Sequence, residues 1–186
     1  MKTWIALLRG VNVNGKNKLP MKELAAVLGA MGMTDVKTYI QSGNVVFRGP
    51  AKQAGLLAGQ IGAAIKENFG FQPHVVVISA KDFAAAAAAN PFPESTADIE
   101  GRTLHLFFLA APPPRIDHER VESIRRPSER WQVKGTVAYL HAPEGFGDSK
   151  LALQLEKILG VPATARNWRT VSTLLELAAG LGTGIG

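Results

Sequence analysis

The sequence predicts an α+β protein made of two ferredoxin-like halves, each with the element order βαββαβ, followed by an extra C-terminal helix. Apolar strands and amphipathic helices follow one another in the same order twice along the 186 residues. One hairpin-like stretch recurs with the same spacing in both halves. Several strands are apolar at nearly every position, which indicates a sheet buried on both faces. Together these observations predict a structural duplication.

The first half is predicted to span residues 1–79, and turn residues separate its elements. Pro20 is placed at the first position of a helix, where its missing N–H costs no hydrogen bond. Gly32 and Gly70 follow the apolar stripes of the two helices and are typical of helix ends. The predicted strands are 4–9, 36–40, 45–48 and 75–78, and the predicted helices run from Pro20 to Gly32 and over 51–68.

The second half is predicted to span residues 102–180 and to repeat this order. A helical linker, residues 80–101, joins the halves, and Ser79 with Asp82 forms a capping box at its start. The Gly-rich residues 181–186 are predicted to be a flexible tail. The predicted strands are 103–109, 131–134, 136–141 and 163–166, and the predicted helices are 116–125, one ending at Gly160 and one ending at Gly180.

The internal repeat is clearest in the two hairpins. YIQSGNVVF at residues 39–47 aligns with WQVKGTVAY at residues 131–139, so that aromatic, glycine, valine and aromatic positions coincide. The strands at 75–78 and 104–109 do not alternate between apolar and polar residues. A sheet covered by helices on one face only should alternate, so we expect a second cover, which is the other half, the final helix or a partner chain.

Composition excludes several classes of protein. There is no cysteine, which excludes disulfides and thiol catalysis and fits a cytoplasmic protein. No apolar stretch is long enough for a membrane span or a signal peptide, so we expect no membrane association. The net charge is +6, and five cations precede the first acid, Glu23. Such a balance is compatible with nucleic acid or small anions.

Four motifs carry a family resemblance. They are LRGVNVNGKNKLPM at residues 8–21, YIQSGNVVF at 39–47, DSKL at 148–151 and RNWRTV at 166–171. In this order they resemble the bacterial family known as domain of unknown function 1697, over about residues 2–179. The resemblance implies an α+β fold of two subdomains and no established activity. Asn14 stands where the family more often has glycine.

Three glycine-rich or basic loops lead into helices and supply the candidate site. A helix N-terminus favours anions because its N–H groups are unpaired, and nearby lysine and arginine add charge. The candidate ligand-binding residues are Arg9, Asn12, Lys16, Asn17, Lys18, Asn44, Lys150, Arg166, Asn167 and Trp168. The run from Gly10 to Asn17 is not a true P-loop, since Asn17 replaces the hydroxyl that such loops use for Mg²⁺.

Each of these motifs also has a structural interpretation. The asparagines can satisfy the turns of their own loops, and the arginines can form ion pairs. Trp168 can anchor a helix in the core, and Thr170 can cap that helix. Asp148 or Ser149 is a natural helix cap. The sequence leaves both interpretations open.

The leading functional hypothesis is binding of a small anionic ligand, a nucleotide or phosphorylated metabolite, in a cleft between the two halves. Nucleic-acid binding ranks second because neither hairpin carries the aromatic pattern of RNA-binding sheets. A protein-interaction role ranks third. The four histidines show no zinc spacing, and no serine-nucleophile motif is present. The sequence identifies no metal site, cofactor or catalytic residue and does not decide whether the protein is an enzyme.

Overall fold

The structure, a computed structural model, describes residues 1–182, apart from the side chains of Ile99 and Glu100. Its strands are β1 (Lys2–Arg9), β2 (Thr34–Tyr39), β3 (Asn44–Gly49), β4 (His74–Ser79), β5 (Leu104–Leu109), β6 (Arg130–Lys134), β7 (Val137–His141) and β8 (Ala163–Asn167). Its helices are α1 (Met21–Ala30), α2 (Ala54–Phe69), α3 (Ala80–Ala88), α4 (His118–Ile124), α5 (Lys150–Leu159) and α6 (Trp168–Gly182). A 3₁₀ segment, Pro93–Gly101, follows α3.

The first sheet is antiparallel throughout, with the strand order β2-β3-β1-β4. Helices α1 and α2 cover one face of it. The core between sheet and helices contains Trp4, Ala6, Leu8, Leu24, Leu28, Phe47, Leu57, Ile61 and Ile65, all nearly inaccessible to solvent. This is the βαββαβ unit that the periodicity predicts.

The second sheet has the order β6-β7-β5-β8 and is also antiparallel. Each strand therefore occupies the same position as its counterpart in the first sheet. The hairpin glycines Gly43 and Gly135 both have positive φ, at 81° and 59°. The predicted α+β duplication and the extra C-terminal helix, α6, are confirmed.

Both faces of the central strands are buried. On the face of β1 turned away from α1 and α2, Ile5 and Leu7 are 0% exposed, as is Val46 of β3. All six residues of β5 are buried. Strand β4 differs from the prediction, because most of its residues are only half-buried. The reason is its place at the edge of the sheet, where one side has no neighbouring strand.

Several helix ends differ from the predictions by one or a few residues. Pro20 is the N-cap of α1 and not its first helical residue. Asn167, not Thr170, caps α6, because its Oδ1 accepts a hydrogen bond from the Thr170 N–H at 2.9 Å. Ser79 and Ser149 cap α3 and α5 as predicted. Of the predicted tail at 181–186, the first two residues belong to α6 and residues 183–186 lie outside the described residues.

The chain divides into two compact units. One contains Met1–Ala85 together with the chain from Thr173 onward, and the other contains Ala86–Ser172. The first half and the end of α6 thus belong to one unit. The predicted division into domains at 1–79, 80–101 and 102–180 stays a prediction.

Candidate functional site

The loop between β1 and α1, residues 10–19, is closed by two asparagine side chains. Asn12 donates from Nδ2 to the carbonyl oxygens of Leu19 at 2.9 Å and Gln41 at 2.8 Å, and its Oδ1 accepts from the Leu19 N–H at 2.8 Å. Asn17 donates from Nδ2 to the Gly10 carbonyl at 2.8 Å. Both asparagines have positive φ, which asparagine tolerates better than most residues. The loop is therefore fixed from within.

The tip of this loop is a tight two-residue turn. Val13 and Lys16 form an isolated antiparallel bridge, and the Lys16 N–H donates to the Val13 carbonyl at 2.9 Å. Asn14 and Gly15, between them, have φ of 50° and 73°. Two consecutive positive values define a type I′ turn, for which Asn-Gly is the preferred pair. Asn14 thus suits the backbone conformation that it occupies.

Three exposed cations lie in this loop or directly before it. Arg9 ends β1, and Lys16 and Lys18 belong to the loop itself; all three are exposed. Within residues 1–182, no acidic side chain forms an ion pair with Lys16 or Lys18. The buried side chains of Val11 and Leu19 anchor the two ends of the loop in the core. The lysines therefore extend from a rigid support.

Asn44 lies in the neighbouring hairpin and is fully buried. Its Nδ2 donates to the Tyr39 carbonyl at 3.1 Å and to the Ser42 hydroxyl at 2.9 Å. The bond from Asn12 to Gln41 ties this hairpin to the β1–α1 loop. The amides of Asn12, Asn17 and Asn44 thus hold the backbone of two adjacent loops. Whether they also contact a ligand stays a prediction.

The third predicted loop, which precedes α5, lies in the second unit. Ser149 is buried and its Oγ accepts from the Ala152 N–H at 3.0 Å, so that it caps the helix. Lys150, the first residue of α5, is exposed. A capped helix start next to an exposed lysine is compatible with anion binding and equally with a solvated surface.

Arg166, Asn167 and Trp168 lie at the junction of β8 and α6. Arg166 donates from Nη1 to the Ala165 carbonyl at 2.9 Å, and burial lowers the pKa of its guanidinium to about 10. Asn167 is occupied as the cap of α6. Trp168 is half-buried and lies so close to Gly101 that a Cβ atom built there would be 3.2 Å from the Trp168 Cβ. These three residues hold the junction together.

The structure also contains a polar network that sequence reasoning missed. His141 is buried and lies between Asp98 and Arg130, with Nε2 at 3.0 Å from Asp98 Oδ2 and Nδ1 at 3.1 Å from Arg130 Nη2. A guanidinium can only donate, so Nδ1 accepts and the ring carries its proton on Nε2, toward Asp98. Arg130 also contacts the Glu94 carboxylate and lies 4.7 Å from the Phe92 ring.

This network attaches the 3₁₀ segment to the second sheet. The pKa of Glu94 is lowered by a backbone hydrogen bond and by the Arg130 side chain. Tyr139 donates its hydroxyl to the Ala86 carbonyl at 2.7 Å on the same face. No short sequence motif predicts these contacts, because Asp98 and His141 are 43 residues apart along the chain. Asp98 lies in the 3₁₀ segment and His141 in β7, so their contact depends on how that segment crosses the sheet.

Residues 1–182 contain no group of three or more histidine, aspartate or glutamate side chains placed to hold a metal ion. In the same part of the chain, no helix combines the length and the apolar character that crossing a membrane requires.

Comparison with known proteins identifies a family but no activity. None of the curated proteins compared with this chain matches it. Among solved structures, the chain is similar to the conserved bacterial protein SP0830 from Streptococcus pneumoniae, at 24% identity and a TM-score of 0.70, over 95% of this chain and 98% of that one. At this identity the likeness supports the fold alone. The family model described as protein of unknown function (DUF1697) matches residues 1–139, and the chain therefore belongs to that family.

Proposed function

We propose that the protein binds a small anionic ligand, a nucleotide or a phosphorylated metabolite, at the β1–α1 loop. The observation that supports this most is a loop held rigid by its own asparagines that presents Lys16 and Lys18 to solvent without an acidic partner in the described part of the chain. Binding residues lie disproportionately often on loops that a rigid scaffold positions.

Rigidity matters because ordering a flexible loop costs free energy when a ligand binds. Here the hydrogen bonds of Asn12 and Asn17 fix the loop before binding. Within residues 1–182, the backbone N–H groups of Asn14 and Gly15 make no hydrogen bond, so they can donate to an oxyanion. The two lysines supply positive charge, and Arg9 lies at the start of the same loop. Lysine ammonium and backbone N–H groups together suit phosphate.

A small anion fits these features better than a nucleic acid does. Ferredoxin-like domains that bind RNA stack bases on aromatic side chains of an open sheet face. On the face of the first sheet turned away from α1 and α2, Ile5, Leu7 and Val46 are fully buried. The large apolar residues that are exposed in the described structure are Met1, Val13, Ile40, Leu56 and Leu153, none of them aromatic. Nucleic-acid binding is the alternative that the same experiment tests.

The test is a thermal-shift screen at fixed ionic strength with nucleotides, sugar phosphates, and short RNA and DNA. A ligand at about 100 times its dissociation constant adds about 2.7 kcal/mol, or roughly 5–10 °C for a chain of this size. We expect Lys16→Gln and Lys18→Gln to reduce the shift. Lys52→Gln removes the same charge from an exposed position outside the loop and should leave the shift unchanged.

Three outcomes would count against the proposal. A shift that Lys52→Gln weakens as much as Lys16→Gln would show general charge attraction instead of a site. A shift with nucleic acid only, falling steeply with salt, would favour phosphate-backbone binding. No shift with any compound would leave the loop as a purely structural element.

A further inference from the structure

Four buried polar atoms in the second unit have no hydrogen-bond partner among the described residues. One is Thr164 Oγ1, beside Phe108 on the neighbouring strand, and the other three are Glu129 Oε1, Thr103 Oγ1 and His105 Nδ1. Their residues are 1%, 3% and 9% exposed, respectively. Most buried polar atoms in proteins are hydrogen-bonded, and an unpaired one commonly costs about 1–3 kcal/mol. Three such atoms at one end of the same sheet call for a physical explanation.

The strand register places these residues at the same end of the second sheet. Arg130 and Leu104 both pair with His141, from opposite sides of β7. One residue further along, Glu129 and Thr103 therefore flank Ala142, and the Ala142 N–H donates to the Thr103 carbonyl at 2.8 Å. Two strand spacings of about 4.8 Å put the Cα atoms of Glu129 and Thr103 roughly 10 Å apart.

They also share one face of the sheet. Side chains alternate along a strand, and Phe107, Leu109, Leu140 and Ala142 belong to the core on the helix-covered side. His105 and Thr103 precede Phe107 by two and four residues, so their side chains lie on this face. Glu129 lies two residues before Trp131, which packs against the same core, so its side chain lies on this face too. The small Ala142 side chain lies between Glu129 and Thr103.

A glycine-containing loop, residues 143–148, covers this end of the sheet. Phe146 stacks on His105, with ring centroids 3.6 Å apart and planes inclined by 15°. Ser128 donates its hydroxyl to the Glu144 carboxylate, and Arg126 donates from Nη2 to the Asp148 carbonyl at 2.9 Å. Gly145, with φ of 111°, adopts a conformation that side chains rarely allow. The loop is thus fastened at both ends, with Phe146 between them.

Among the described residues, no positively charged side chain is paired with Glu129 Oε1. Glu129 Oε2 accepts from the Arg126 backbone N–H at 2.9 Å, and no ion pair of Glu129 occurs within the described residues. Arg125 pairs with Glu122 and donates to the Glu129 backbone carbonyl, not to its carboxylate. Arg130 lies on the opposite face, with His141. Burial lowers the pKa of His105 to about 4, so the ring is neutral at physiological pH.

We propose that Glu129, Thr103 and His105 form a binding site for a primary ammonium group, covered by Phe146. A primary ammonium carries three N–H donors and one positive charge. The site offers a carboxylate oxygen, a hydroxyl oxygen and an imidazole nitrogen, which are three acceptors, and one negative charge. Water would satisfy the hydrogen bonds without balancing the charge of Glu129. The site is independent of the anion-binding loop and does not rest on the function proposed for it.

The test compares methylammonium with tetramethylammonium, which has the same charge and no N–H donor. We expect methylammonium chloride to raise the melting temperature of the full chain in a saturable way and tetramethylammonium chloride, at equal concentration, to have no such effect. Thr103→Val, of nearly the same shape, should weaken the methylammonium response about tenfold in dissociation constant. Glu129→Gln should abolish it, and Glu67→Gln, at an exposed position, should not change it.

Thr103→Val also carries an internal control. Because it removes an unpaired hydroxyl, the variant should be at least as stable as the wild type without ligand. Equal responses of the wild type to both salts, or undiminished responses of Thr103→Val and Glu129→Gln, would overturn the proposal. If Glu129→Gln does not fold, wild-type crystals soaked in a thallous salt give a second answer. An anomalous peak bound by Glu129 and Thr103 would support the site, and its absence there would refute it.

Discussion

Gly43→Ala should destabilise the protein much more than Gly135→Ala, although the two glycines occupy equivalent hairpin positions. A Cβ atom built on Gly43 would lie 2.6 Å from the Leu8 Cβ and 2.9 Å from a Val11 methyl. Leu8 cannot move away, because its N–H donates to the Gly43 carbonyl at 2.8 Å and its side chain is 1% exposed. A Cβ atom on Gly135 would meet nothing within 4 Å.

The expected magnitudes follow from these contacts. Both glycines have positive φ, which costs another residue about 1–2 kcal/mol. Gly43→Ala adds an overpacking cost of typically about 1–3 kcal/mol. We expect a total near 3 kcal/mol for Gly43→Ala and near 1 kcal/mol for Gly135→Ala, or melting temperatures lower by about 6–12 °C and about 2–4 °C.

The assay is thermal and urea unfolding of both variants and the wild type, followed by circular dichroism. Equal losses for the two variants would refute this reasoning. They would mean that the backbone conformation alone sets the cost and that the close approach of Leu8 to Gly43 contributes nothing.

Three further predictions concern single side chains. Asn12→Ala removes three hydrogen bonds and should lower the free energy of unfolding in urea by about 2–3 kcal/mol. A much smaller loss would show that these bonds do not hold the loop rigid. Tyr139→Phe removes the bond to the Ala86 carbonyl and should cost about 1 kcal/mol by the same method; no loss would mean that water replaces the hydroxyl. Burial lowers the pKa of His105 from 6.5 to about 4, so the unfolded chain binds the extra proton between these values. The stability that His105 contributes is fully present above pH 6.5 and falls by roughly 3 kcal/mol toward pH 4. The wild type should therefore lose that much more stability than His105→Phe over this pH range. Parallel curves of stability against pH would contradict the lowered pKa of His105.

The architecture could be predicted because its signals are local and repeated. The apolar run of β1, the helical spacing of Leu24 and Leu28, and Gly70 and Gly160 at helix ends each specify an element within a few residues. The repeated hairpin sequence at Gly43 and Gly135 linked the two halves. Such signals depend on backbone propensity and on the period of apolar residues, which neighbouring residues alone determine.

The candidate site could be predicted only as a set of residue types. The sequence indicated that Asn12 and Asn17 either bind a ligand or satisfy their own loop. The structure shows hydrogen bonds to that loop and a further one from Asn12 to the Gln41 carbonyl in the neighbouring hairpin, 29 residues away. The pairing of His141 with Asp98 depends on how the 3₁₀ segment crosses the second sheet. Contacts of this kind follow from strand order and register, which no short motif encodes.

The end of α6 has a consequence for how the chain is made. The compact unit that begins with Met1 also contains the chain from Thr173 onward, including the buried residues Leu174 and Leu181. A ribosome adding about 5–20 residues per second needs roughly 4–17 s to synthesise the intervening Ala86–Ser172. During that interval the first sheet lacks the end of α6, which belongs to its unit. The chain from Thr173 onward is thus translated after Ala86–Ser172 and completes the unit that contains the first sheet.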